Sequence, residues 1–336
     1  MLGFWPSDAG LLLTQAALVC GPRPSLPRAV ERLRGGIWAW LMPASLGGTI
    51  AVLAAYPGLA HAYSWVAVIG IPLLAVPSIV VLIEGGRANA GLGRPAAWLV
   101  ALVVAAALLG YSWGVHHGLA AQSAATALTA LSSATLAAYL ATVTPASWLK
   151  VGILTMAALD AVLVSAQLLQ GPNDTLEAAT PGAHLPHLQV AVFGSAVIGY
   201  GDVFIAAVLG TVVVGDPRLA RRVRPWQGAL VVLACAAVFD LLFLVVDVLP
   251  ATVPVAVALV LLELWVRRSA ARAGPVGVVR RAERARLGGG GADQDDGGQG
   301  DGQKSESLAH ASPLPRWAGV HTRRRREARP RPEVRP

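Results

Sequence analysis

The stretch Ile198–Gly210, "IGYGDVFIAAVLG", decides how this chain is read. Asp202 stands there with glycines on one side and Val, Phe, Ile and Ala on the other. The apolar run around it extends over roughly 189–214, enough to cross a hydrocarbon core that takes about 20 helical residues. Burying an ionised carboxylate at such depth costs several kcal/mol even after relaxation. An acid kept there asks for a chemical reason.

The rest of the sequence supports a membrane setting. Of its 336 residues, 55% are hydrophobic and only 14% charged, against about 25% charged in soluble domains. Eight segments supply enough apolar length for a crossing: 37–56, 63–83, 96–114, 123–143, 149–169, 189–214, 227–248 and 251–266. The expected fold is an all-α, polytopic transmembrane bundle of eight spans, with nine if "AGLLLTQAALVC" in the first 20 residues also crosses. Residues 1–36 read as a cytoplasmic or interfacial segment. Residues 37–268 read as the membrane domain. From 269 to 336 the chain is Gly-rich, then Arg/Pro-rich ("HTRRRREARPRPEVRP"), which reads as a disordered basic tail.

The loops alternate in charge. Arg23, Arg28, Arg32 and Arg34 precede the first span, while "PGLAHA" carries no Arg or Lys. Arg87 and Arg94, then Lys150, then Arg218, Arg221, Arg222 and Arg224 mark every second connection. Arg267, Arg268, Arg272, Arg280 and Arg281 follow the last span. The positive-inside rule places these segments, the C-terminus included, in the cytoplasm of a multi-pass cell-membrane protein. The net charge of +8 speaks to orientation and to anionic lipid at the Arg-rich tail, and no nucleic acid is expected. Cys20 and Cys235 are too few for a disulfide framework.

Four aspartates fall inside spans: Asp160, Asp202, Asp240 and Asp247. Asp247 is near an outer end and Glu263 near a cytoplasmic one. At 1.5 Å per residue, Asp160 lies roughly 16 Å and Asp202 roughly 18 Å from the inner ends of two consecutive, oppositely directed spans. Two carboxyls meeting there would hold one proton between them, the electrostatic condition for aspartic-protease chemistry. Gly199 and Gly201 remove bulk beside Asp202, so that another backbone could approach, and loosen the helix ahead of it.

These residues carry a resemblance. "GYGD" at 199–202 is similar to the GxGD signature of the presenilin and signal peptide peptidase family of intramembrane aspartyl proteases. Asp160 in "TMAALDAVLV" resembles that family's first catalytic aspartate, and "LPATVP", Leu249 to Pro254, its Pro-Ala-Leu motif. Leu159 stands where the family usually has Tyr, and Thr252 where it has Leu. The resemblance covers roughly 149–268, the expected catalytic core. It implies a catalytic pair Asp160 and Asp202, and substrate contacts from Gly199, Tyr200, Gly201, Pro250, Ala251 and Thr252. It also implies transmembrane or signal-peptide substrates, and neither metal nor organic cofactor.

Two alternatives stand beside it. Prepilin peptidases also carry GxGD, but here Phe204 replaces their lysine and no paired CxxC motifs occur. A proton- or cation-coupled transporter could use Asp160, Asp202 and Asp240, the last also roughly 20 Å deep. His116, His117, His184 and His187 fall in outer loops and read as solvated rather than zinc-binding.

Overall fold

In lipid every backbone N–H and C=O must be satisfied internally, so apolar runs of this length become helices. The computed structural model describes residues 4–26, 28–85, 95–115, 118–168, 170–179, 185–244 and 250–272. The described residues all belong to one compact unit, Met1–Gly277. The helices in chain order are α1 (Phe4–Val19), α2 (Leu41–Ala55), α3 (Leu59–Ile83), α4 (Pro95–Gly114), α5 (Leu119–Val143), α6 (Ala146–Ser165), α7 (Gln170–Ala178), α8 (Tyr200–Gly215), α9 (Pro217–Ala220), α10 (Pro225–Asp240) and α11 (Val253–Arg272). Short 3-10 turns at Arg28–Leu33 and Gly36–Trp40 lead into α2, and another at Leu241–Leu244 follows α10.

Five of these segments are long and apolar enough to cross a membrane: Gly36–Ala55, which includes α2, and α3, α4, α5 and α6. The chain is therefore a membrane protein built mainly of helices. Helices α8 and α10 are apolar but shorter, with 16 residues each, or about 24 Å.

The expected single span 189–214 is corrected. Val190–Phe193 (β1) and Ala196–Gly199 (β2) form an antiparallel hairpin with Val190 opposite Gly199, and a helix starts only at Tyr200. The reason lies in "VAVFGSAVI". Two apolar, β-branched-rich runs flank Gly-Ser, and Gly194 takes φ 64°, the left-handed region a tight hairpin turn needs. Irregular backbone survives at membrane depth only when protein or water satisfies it. Here Gln122 Oε1 accepts from the Gly194 N–H at 2.7 Å, and Ser7 Oγ accepts from the Ser195 N–H at 3.1 Å.

Within residues 1–36, the stretch left open between an interfacial helix and a ninth crossing forms a helix. Helix α1 packs along α8 and α10, with Leu11, Gln15, Ala16, Leu18 and Val19 buried. Its early part meets the hairpin and its end meets Gly210, so it runs parallel to α8. Arg23 Nη2 donates to Val19 O at 2.7 Å and to Gly210 O at 3.1 Å, capping α1 and joining it to α8. The span 227–248 is corrected to a helix ending at Asp240, and α11 continues through Arg272, four residues into the segment expected to be tail. The remainder of that tail, Asp247, His116, His117 and His184 lie outside the described residues.

Helix α8 is the hub. Val203 and every residue of Ile205–Val213 are buried, and α1, α5, α6, α10 and α11 surround it. A second cluster joins α3, α4 and α5 through Ile71, Ala75, Ile79, Ala101, Ala105 and Leu128. Small residues let these helices approach closely, and Ser78 Oγ and Thr135 Oγ1 share a hydrogen bond of 2.7 Å between α3 and α5.

Candidate functional site

Helices α6 and α8 lie side by side and antiparallel, because Lys150 at the start of α6 ion-pairs with Asp216 just past the end of α8. Ten residues beyond Lys150, Asp160 is brought to the other end of the pair, beside Asp202 in the first turn of α8. The two carboxyls lie within electrostatic reach of each other. Asp160 is only 8% exposed, whereas Asp202 keeps accessible surface.

Each acid is held by local backbone. Helix α8 begins where Gly199 adopts extended φ −68° and ψ 151°. This places Asp202 third in the helix, where a carboxylate can reach back to the cap. Its Oδ2 accepts from the Gly199 N–H at 3.2 Å, and the positive end of the helix favours negative charge there. On the other acid, Asp160 Oδ2 accepts from the Thr252 hydroxyl at 2.6 Å and from the Thr252 N–H at 3.4 Å. Thr252 lies just ahead of α11 and is 1% exposed. Three stretches far apart in sequence, around Asp160, Gly199–Asp202 and Pro250–Thr252, thus meet at one place.

The other expected site residues are placed as follows. Pro250 and Ala251 are half-buried at the entry to α11. The Tyr200 hydroxyl accepts from Ser132 Oγ of α5 at 3.2 Å, and its ring packs against the α3–α4–α5 cluster. Among the described residues, a Cβ at Gly201 would meet Met156 Cε at 3.7 Å. The space beside Gly201 is taken, among the described residues, by this flexible side chain rather than by another backbone. A Cβ at Gly199 would sit 3.1 Å from Asp202 Oδ2, so Gly199 makes room for the acid itself.

Three features went unread in the sequence. Thr252 looked like a departure from a motif, yet its hydroxyl is the closest polar partner of Asp160. Asp240 closes α10, and its acidic neighbour is Asp8 of α1. Lys150 joins both Asp216 and Glu263, tying α6, α8 and α11 at the end away from the dyad. Burial alone would push the Asp216 carboxyl up, but Lys150 and the N–H groups of Arg218 and Leu219 outweigh it and hold it below the usual carboxylate range. Among the described residues no three His, Cys, Asp or Glu side chains gather as metal ligands. His187 lies 3.3 Å from the side chain of Gln189. Compared with protein-family models, curated proteins and solved structures, the chain matches none.

Proposed function

We propose that this protein is an intramembrane aspartyl protease that hydrolyses single-span or signal-peptide substrates with the Asp160/Asp202 pair. The observation that carries this reading is the meeting of two carboxyls from adjacent antiparallel helices, Asp160 buried and Asp202 half-buried. One carboxylate takes a proton from water as the water oxygen bonds the scissile carbonyl carbon. The protonated partner gives its proton to the carbonyl oxygen. The first acid then protonates the amide nitrogen while the second takes a hydroxyl proton, the C–N bond breaks, and acid and amine leave. The chemistry needs no metal.

The hairpin supports the same reading. A transmembrane helix must be unwound before its carbonyls can be attacked. Strand β2 runs directly into Gly199–Asp202, so an extended substrate paired along the edge that no strand occupies among the described residues would be led to the dyad. The packed helix α1 favours a nine-helix count, with α1, α2–α6, α8, α10 and α11 crossing. Its first residues would then lie outside, and the C-terminus in the cytoplasm as the loop charges suggest.

Purified protein reconstituted with a synthetic single-span peptide tests the proposal. Two fragments should appear whose masses sum to the peptide plus one water. Asp160→Asn and Asp202→Asn should each lower the rate by about a thousandfold or more. Asp240→Asn, on α10 beside Asp8 of α1, should cut within about twofold of wild type. Proton-coupled uptake that depends on Asp240, without cleavage of any peptide, would replace the protease reading with a transporter.

A further inference from the structure

Thr252 stands between Asp160 and the start of α11, buried, with both its hydrogen-bond donors on one carboxylate oxygen. A backbone N–H can only donate, so Asp160 Oδ2 is an acceptor in this arrangement. With Oδ2 engaged, the free lone pairs of Asp160 are on Oδ1. Asp202 has one backbone donor on its Oδ2, from Gly199, and no hydroxyl among its hydrogen-bond partners in the described residues. Counted by hydrogen bonds the two acids are supported unequally: Asp160 accepts from a main-chain N–H and a hydroxyl, Asp202 from a main-chain N–H, to which the end of α8 adds a weaker pull than a hydrogen bond to a charged group.

We infer that Thr252 is a positioning residue whose hydroxyl holds Asp160 as the ionised member of the pair, making Asp160 the base that activates water and Asp202 the acid that protonates the carbonyl oxygen. This rests on the protease reading and assigns the two roles within it. In the first step a water proton passes to Asp160 Oδ1, the water oxygen bonds the carbonyl carbon, and the Asp202 proton passes to the carbonyl oxygen. In the second, Asp160 gives its proton to the amide nitrogen, the C–N bond breaks, and Asp202 takes a hydroxyl proton as the new carbonyl forms. Asp160 ends ionised and Asp202 protonated, as they began. A leucine at position 252 could supply only the backbone donor, so the hydroxyl is a device belonging to this chain.

The test uses the full-length protein with Thr252→Val, which keeps the shape and removes the hydroxyl, and Thr252→Ser, which restores it. With a synthetic single-span peptide, Thr252→Val should lower kcat by about 10- to 100-fold, the scale of one hydrogen bond to a charged group. KM should stay near wild type. The acidic limb of the pH–rate profile should move to higher pH, because a carboxylate that loses a donor holds its proton more tightly. Thr252→Ser should return both towards wild type. An unchanged profile in Thr252→Val, or a serine variant as impaired as the valine one, would overturn the inference. A second readout does not depend on cleavage. Infrared difference spectra at neutral pH should gain a protonated-carboxyl band in Thr252→Val that vanishes when Asp160→Asn is added. Absence of that band overturns the role of Thr252, whereas its presence with no peptide ever cut by wild type would count against the protease reading alone.

Discussion

Gly199 and Gly201 flank the same acid and are doing different things. A methyl group at 199 would press on Asp202 Oδ2 from 3.1 Å, whereas one at 201 would make an ordinary contact at 3.7 Å with the end of Met156. Gly199→Ala should therefore displace the carboxyl by a few tenths of an ångström and lower kcat about tenfold with little change in melting temperature. Gly201→Ala should stay within about twofold and gain up to about 1 kcal/mol in helix propensity. Peptide cleavage and thermal melting of the two variants, run together, check the contrast. The acids and glycines themselves were legible because a carboxylate amid apolar residues is conspicuous. The hydroxyl of Thr252 was not, because sequence spacing cannot say that the start of one helix will dock on the middle of another 92 residues away.

Helices here are joined both by close backbone contact and by charge. Val19 of α1 lies against Gly210 of α8 so closely that a Cβ on Gly210 would sit 2.8 Å from Val19 Cα and 2.9 Å from the carbonyl oxygens of Leu18 and Val19. Backbone cannot step aside as a side chain can, so Gly210→Ala should lift α1 away and destabilise the fold by about 1–3 kcal/mol. Gly215→Ala, with nothing within 4 Å, is the neutral control for the same thermal measurement. The ion cluster Lys150–Asp216–Glu263 gives a pH signature. Since the Asp216 carboxyl is held low, its contribution is fully present above about pH 4, the ordinary carboxylate value, and fades as acid takes the pH through the lower folded one. Thermal melting from pH 7 downward should show this loss in wild type and a flatter acid limb in Lys150→Met, which starts from a lower melting temperature.

The elements were only partly readable. Long apolar runs gave α3, α4, α5 and α6 nearly in place, because apolar length in a bilayer leaves little but a helix. The hairpin was hidden inside a run that looked like one more span, although Gly194-Ser195 between β-branched stretches carries its signature. Helix α1 was ambiguous by length and composition. What fixes it is tertiary: Val19 packs against Gly210 and Gly228, two glycines from two different helices.

At the scale of the whole molecule, the hub helix α8 gathers five neighbours and presents its first turn to a hairpin on one side and to Asp160 on the other. The account depends on that meeting. With Cys20 and Cys235 replaced by Ser, the pair Asp160→Cys/Asp202→Cys can be probed in membranes by a short bifunctional thiol reagent. An inserted protease site between α6 and α8 allows linked and unlinked halves to be told apart after cutting. Lys150→Cys/Asp216→Cys, a pair in direct contact between the same two helices, sets the positive control. The account predicts that the Asp160/Asp202 pair links as readily as this control; halves that separate at 160/202 while the control stays joined would contradict it.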